Sequence, residues 1–226
     1  MKRGALIAAL LLAALLLTGC GGAKNPYADI ENNPIATITL TDGRKMVFEL
    51  YPQIAPNTVA NFVQLANSGF YDESTDLNGK TRHMEIFRVA SNVLIQSGDP
   101  KNDGTGDPGH YIKGEFEANG FKNSLSHMRG TISMARKKNY NTAGSQFFIM
   151  QGSYPEYDGK YAAFGRIMDE ESLAVLDAIG STPVDGNNQP IDRIFIDKIR
   201  VETFDVDYEP VTLDKDIIDK KEDDSK

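Results

Sequence analysis

Two polar residues interrupt an otherwise apolar stretch, IFRVASNVLIQSGD (residues 86–99): Arg88 and Gln96. The stretch reads as two strands around a turn at Ser91-Asn92. A guanidinium is always charged and presents a rigid fork of N–H donors, and an amide offers both donors and an acceptor. Both are suited to holding a peptide backbone. A second run, SQFFIM (Ser145–Met150), repeats the arrangement with Gln146 and Phe148. Residues two apart in a strand share a face, so Gln146 lies beside Phe148 and Gln96 beside Leu94. A glutamine beside a large apolar side chain, occurring twice, describes a shallow apolar pocket with amides at its edge. Such a surface suits an extended peptide, whose backbone the amides take and one of whose side chains the floor takes. Taken singly, each residue fits a blander role. Leu94 and Phe148 could be core, the glutamines satisfied buried amides, and Arg88 a surface cation whose stem covers apolar surface while its head pairs with an acid.

Other chemistries lack their parts. The chain has three histidines, His83, His110 and His127, and no two have metal-ligand spacing; HExxH, Walker and GxSxG motifs are absent. Gly104-Thr105-Gly106 is a glycine turn without the following helix that phosphate binding needs. The net charge of -8 and a pI near 4.9 argue against nucleic-acid binding, which needs a basic face. No metal and no cofactor is expected.

The single cysteine, Cys20, excludes an intrachain disulfide. It follows Lys2 and Arg3, an apolar run from Ala5 to Leu17, and Leu17-Thr18-Gly19. That run is too short to span a bilayer comfortably and has the form of a secretory signal. The segment resembles a bacterial lipoprotein signal. The resemblance implies removal of residues 1–19, lipid on Cys20, and a domain tethered to the extracytoplasmic face of a membrane. The remaining chain would carry 22 basic and 32 acidic residues, a net charge of -10. Residues 20–33 read as a flexible tether.

The elements that must position the polar residues are mostly strands. ATITL and KMVFEL flank Asp42-Gly43, a hairpin signal. APNTVANFVQLANSG reads as a helix, with Pro56 in its first turn, an apolar face of Val59, Phe62, Val63 and Ala66, and Gly69 as its stop. DEESLAVLDAIG reads as a second helix with acids in its first turn, where the helix dipole favours them. GTISMA, SQFFIM, YAAFGRI and the alternating IDRIFIDKIRVETF are further strands. Residues 99–123 read as loop. The charged tail, residues 205–226, is expected to be disordered. Many short strands with two helices argue for an all-β barrel or sandwich.

FRVASNVLIQSGD, GTGDPGHYIKGEF, GTISMA, AGSQFFIM and YDGKYAAFG occur in this order, and together they resemble the cyclophilin family of peptidyl-prolyl cis-trans isomerases. The resemblance covers residues 34–204. It implies a closed eight-stranded antiparallel barrel capped by two α-helices, acting as a monomer on proline-containing polypeptides. Position by position it makes Arg88 the catalytic arginine, Gln96 the residue that binds substrate backbone, and Phe148 the floor of the proline pocket. It puts Val93, Leu94, Ala135, Arg136, Gln146, Tyr157 and Tyr161 along the substrate groove. Several positions depart from the family pattern. Val93 stands for a phenylalanine, which thins one pocket wall. Arg136 stands for an asparagine, Ser97 for a glycine and Tyr161 for a histidine. Glu156 stands where cyclosporin-sensitive members carry tryptophan, so a weak response to that drug is expected. The loop from Asp72 to Met84 is longer than usual. These departures keep a second reading open, a non-catalytic chaperone or scaffold that captures proline segments on the same fold. A solute-binding lipoprotein ranks last, because the chain is short for two lobes and shows no βαβ alternation.

Overall fold

The computed structural model describes residues 25–72, 74–75 and 81–223. The signal segment, Cys20 and the first residues of the expected tether lie outside these, as does part of the Asp72–Met84 loop.

In chain order the strands are β1 (Ile35–Leu40), β2 (Lys45–Leu50), β3 (Ser74–Thr75), β4 (Thr81–Arg82), β5 (Met84–Glu85), β6 (Arg88–Ala90), β7 (Leu94–Ser97), β8 (Tyr111–Ile112), β9 (Thr131–Met134), β10 (Phe147–Met150), β11 (Ala162–Ile167), β12 (Phe195–Glu202) and β13 (Thr212–Leu213). The helices are α1 (Pro56–Asn67), α2 (Glu170–Gly180) and α3 (Lys215–Asp223). Nine strands form one curled antiparallel sheet in the order β5-β12-β1-β2-β11-β9-β10-β7-β6. Its two outer strands, β5 and β6, are separated in sequence only by Ile86 and Phe87, so the chain itself brings the ends of the sheet together. The expected count of eight becomes nine because that one run is broken into two short pieces.

Inside the curl, alternate residues of each strand meet. Ile38, Phe48, Ile95, Phe147, Ile149, Phe164 and Ile199 are all buried in one core with Phe62 of α1. Phe62 contacts Phe147 edge-on at 5.6 Å and Phe164 at 5.2 Å, geometries that aromatic quadrupoles favour. The β1–β2 turn has Gly43 at φ 88°, and Gly69, at φ 81°, follows α1, both as expected. No side chain of its own caps α1. Instead the buried Glu115 carboxylate accepts from the Asn57 and Thr58 amides at 3.0 and 2.7 Å. This neutralises exposed N–H groups at the positive end of the helix. Asp169 caps α2 by accepting from the Ser172 amide at 2.7 Å.

Three segments differ from expectation. The 99–123 stretch contains β8 and a short 3₁₀ turn, Glu117–Asn119. The tether is docked from Asn25 onward: the Asn25 side chain donates to the Pro52 carbonyl, and Tyr27 is buried against Tyr208 at 4.6 Å. The segment 205–223, expected to be disordered, includes β13 and α3. Their dense charge obscured the anchors that hold them: buried Tyr208 and pairing of Thr212 and Leu213 with Ile112 and Tyr111 of β8. Among the described residues no helix is long and apolar enough to cross a membrane.

Candidate active site

β6 and β7 form a hairpin whose turn has Asn92 at φ 62°, a left-handed position that asparagine tolerates. Its register pairs Arg88 with Gln96. β7 pairs next with β10, opposing Gln96 to Phe148, and β10 pairs with β9, opposing Phe148 to Ser133. Arg88, Gln96, Phe148 and Ser133 therefore form one row across four adjacent strands, with side chains on the outer face of the sheet. Directly opposed residues of this kind lie about 4.5–5.5 Å apart at Cβ. Gly98 permits the close approach of β7 and β10, since a Cβ there would collide with the Ser145 carbonyl oxygen.

The polar half of the row is a relay of hydrogen bonds. Arg88 donates to the Gln96 side-chain oxygen at 3.1 Å. Gln96 donates to the Gln146 side-chain oxygen at 3.0 Å, and Gln146 donates to the Gly104 and Gly106 carbonyls at 3.1 and 2.9 Å. Each amide is oriented by the next, so the guanidinium is aimed by the sheet and by the 104–106 loop together. Among the described residues no carboxylate pairs with Arg88, which removes the reading of Arg88 as a surface ion-pair cation.

The apolar half is a cluster separate from the main core. Leu94, Phe148 and Met150 are buried together, with Ala90, Val93, Ala135, Tyr154, Tyr157 and Tyr161 packed against them. Phe148 meets Tyr161 edge-on at 5.5 Å and Tyr157 at 5.8 Å. The Tyr157 hydroxyl is pushed up by burial and by the neighbouring Tyr161, with the Arg88 charge partly offsetting this, so it stays a neutral donor at the rim. Arg136 does not reach into the cluster. Its guanidinium lies 4.7–5.1 Å from the rings of Phe116, Tyr140 and Tyr161 and donates to the Lys160 carbonyl at 2.9 and 3.2 Å. This cation–π cage braces Tyr161 from outside the pocket. Ser97 faces the opposite side of its strand and donates to the Glu85 carbonyl at 2.7 Å. Glu156 is exposed. The structure thus brings Arg88, Val93, Leu94, Gln96, Ala135, Gln146, Phe148, Tyr157 and Tyr161 together and leaves the Arg136 side chain outside them; Cys20 lies outside the described residues.

Three participants escaped the sequence reading. Met150 follows Phe148 at the same-face spacing and was legible. Tyr154 carried no signal of its own. His127, in a loop, carried none either, and it lies against Phe148, the expected floor of the proline pocket. Its imidazole is buried and stacks on Phe148 at 5.9 Å and 17°. Nδ1 is 2.9 Å from the Asp158 carboxylate and Nε2 is 2.9 Å from the Ser133 hydroxyl. A neutral ring satisfies both, donating to Asp158 and accepting from Ser133. Ser133 is itself fully buried, so this trio orients the floor instead of supplying a nucleophile. Burial lowers the His127 pKa below the ordinary 6.5, and the hydrogen bond and charge of Asp158 offset part of that shift.

The sign of the pH effect follows. A histidine whose folded pKa is lowered binds its proton more readily when unfolded, so its contribution is complete above 6.5 and is lost as the pH falls below that value. Thermal unfolding of the wild type should therefore lose stability more steeply than that of His127→Asn as pH drops from about 8 to about 5. Parallel curves would contradict a neutral His127.

The family description "Cyclophilin type peptidyl-prolyl cis-trans isomerase/CLD" matches residues 35–201. Over 128 residues the chain is 44% identical to peptidyl-prolyl cis-trans isomerase B of Bacillus subtilis, covering 57% of this chain and 79% of that protein. Over 157 residues it is 42% identical to a peptidyl-prolyl cis-trans isomerase of Helicobacter pylori, covering 70% of this chain and 82% of that protein. A cyclophilin-type isomerase of Cryptosporidium parvum, crystallised in the presence of the dipeptide Ala-Pro, superposes with a TM-score of 0.62 at 31% identity, covering 75% of this chain and 99% of that one. The curled sheet, the apolar cluster beside Arg88 and these relationships together make the chain a member of the cyclophilin-type peptidyl-prolyl cis-trans isomerase family.

Proposed function

We propose that this isomerase accelerates rotation about X-Pro bonds in exported proteins from a lipid anchor on Cys20, with Arg88 stabilising the twisted amide. The observation that carries the catalytic reading is the guanidinium held by Gln96, without a carboxylate partner among the described residues, beside the pocket floored by Phe148.

Rotation about a peptide bond is opposed by amide resonance, a barrier of about 18–20 kcal/mol. At X-Pro both isomers are populated, and uncatalysed exchange takes tens to hundreds of seconds. No bond has to be made or broken. In the twisted amide resonance is lost and the proline nitrogen regains lone-pair character. A guanidinium N–H near that nitrogen gains a hydrogen bond as the amide twists, so the interaction favours the transition state over both planar isomers. Phe148 and Leu94, backed by the buried Met150, hold the pyrrolidine ring, and rotation then occurs on the acyl side. Gln96 and Gln146 fix the direction of the guanidinium and offer amide groups to the substrate backbone. Val93, Ala135, Tyr157 and Tyr161 complete the groove, and Arg136 acts on it through Tyr161.

The anchoring part of the proposal is supported by the lipoprotein-like run before Cys20. One experiment tests both parts: the slow, proline-limited refolding phase of an exported protein is followed with membrane and soluble fractions from cells making the full chain or Cys20→Ser. Membranes carrying the full chain should shorten that phase, and Cys20→Ser should move the activity to the soluble fraction. An unchanged slow phase with every fraction would contradict isomerase function on such clients, and membrane-bound activity in Cys20→Ser would contradict the lipid anchor.

A further inference from the structure

The chain enters β1 through a segment that is itself built onto the barrel. The Asn25 side chain donates to the Pro52 carbonyl at 2.9 Å and to the Gln53 carbonyl at 3.2 Å, and its oxygen accepts from the Tyr27 amide at 2.9 Å. Tyr27 is buried in the main core, where its ring lies 4.6 Å from that of the equally buried Tyr208. Its hydroxyl accepts from the Glu209 amide at 3.2 Å. Asn33 closes the segment, donating to the Glu49 carboxylate at 2.9 Å and accepting from the Gln53 side chain at 2.8 Å. Tyr208 is in turn held from beyond. Asn57 donates to the Val211 carbonyl at 3.0 Å and accepts from the Val211 amide at 2.7 Å, and β13 then pairs with β8. The C-terminal segment is thus the outer half of a socket that grips the chain at Tyr27. The socket leads straight into β1 and rests on the end of β2. In the curled sheet β1 is four places from β10 through β2, β11 and β9, and four from β7 through β12, β5 and β6. The strands that carry Gln96 and Phe148 therefore lie across the barrel from β1.

We propose that this socket sets how the isomerase stands on its membrane: with lipid on Cys20, the β1–β2 side of the barrel is held towards the bilayer and the row of Arg88, Gln96 and Phe148 faces the aqueous space. The inference rests on the lipid anchor proposed above. Asn25 is the fifth residue after Cys20, whereas Ile35, the first residue of β1, is the fifteenth. An extended chain spans at most about 3.3–3.6 Å per residue, so the leash reaches about 17 Å with the socket closed and about 50 Å with it open. A domain of this size is about 40 Å across. The open leash is long enough for the barrel to roll over and lay its groove on the lipid, and the closed one is not. The closed socket therefore directs the isomerase to water-exposed polypeptide segments and away from segments embedded in the bilayer.

The test reads which side of the barrel meets the lipid. Cys20 is the single cysteine, so in the lipidated chain an introduced cysteine is the one free thiol. Ala28, in the socket segment, and Ser91, in the β6–β7 turn, are both exposed. The full chain, extracted from bacterial membranes, is labelled with a fluorophore at Ala28→Cys or at Ser91→Cys and reconstituted into phosphatidylcholine vesicles that carry a nitroxide quencher on the headgroup. The label at Ala28→Cys should lose most of its emission and the label at Ser91→Cys almost none. Tyr27→Ser and, separately, Asn25→Ala open the socket, and quenching at Ser91→Cys should then rise several-fold. Turnover of a soluble Ala-Pro peptide should stay at the wild-type level in both variants, which shows that the barrel is intact. Equal quenching at the two positions with the socket unaltered, or quenching at Ser91→Cys that neither socket variant raises, would overturn the proposal. A chain that does not float with the vesicles and is quenched at neither position would overturn the lipid anchor itself, and the stance with it.

Discussion

Arg88→Ala is expected to lower kcat for an Ala-Pro peptide by roughly 10²–10³-fold, the cost of removing one preorganised donor aimed at developing charge, about 3–4 kcal/mol. The loss should fall on kcat, with peptide affinity little changed, because the interaction with the proline nitrogen forms only as the amide twists. The fold should survive. Arg88 sits on the outer face of the sheet, and Gln96 keeps its bond to Gln146 when Arg88 is removed. Arg88→Lys should recover only a minor part of the rate: an ammonium keeps the charge but not the planar fork that can serve Gln96 and the substrate together. Steady-state kinetics together with peptide titration checks both statements. A variant that lost affinity and kept kcat would place Arg88 in binding alone.

Phe148→Ala is the second large effect. The ring is buried, with His127 stacked beneath it and Tyr157 and Tyr161 at its sides. Its removal lowers the floor towards the His127–Ser133 layer, which is polar and cannot replace an apolar contact with pyrrolidine. Losing one apolar subsite contact costs about 1–3 kcal/mol, so kcat/KM should fall by roughly 10–200-fold, with weakened peptide binding contributing. The protein should also lose stability, by about 3–5 kcal/mol if the site behaves as a core position. Phe148→Leu keeps an apolar floor and should be affected less in both respects. Isothermal titration with an Ala-Pro peptide and a thermal melt separate the two effects. Unchanged affinity in Phe148→Ala would mean that the ring does not form the floor.

The strand and helix pattern was legible because the signals were local: alternation along β7 and β10, Asp42-Gly43 in a turn, Pro56 and Gly69 bounding α1. Periodicity alone went no further than a barrel or sandwich, and the ordered blocks around Arg88, Gln96 and Phe148 supplied the family. Alternation also predicted which side chains share the outer face, and Leu94, Gln96, Gln146 and Phe148 do share it. His127 was illegible, because its role depends on Asp158 and Ser133, which reach it through folding. The C-terminal segment was misjudged for a similar reason. Its composition is that of a solvated tail, and its order comes from a few contacts, Tyr208 on Tyr27, Asn57 on Val211 and β13 on β8, made with residues far away in the chain. Arg136, expected along the substrate groove, packs its side chain against three aromatic rings, one of them Tyr161.

The central claim is that this surface turns the X-Pro bond over and does not merely hold it. Exchange NMR on an Ala-Pro peptide measures both quantities in one sample, since line positions report binding and cross-peaks between the cis and trans forms report turnover. With wild-type protein at micromolar concentration, exchange should rise from the uncatalysed timescale of tens to hundreds of seconds into the range the experiment resolves. With Arg88→Ala, the peptide should still bind while the exchange cross-peaks fade. Binding without accelerated exchange in the wild type, or exchange unaffected by Arg88→Ala, would contradict the account.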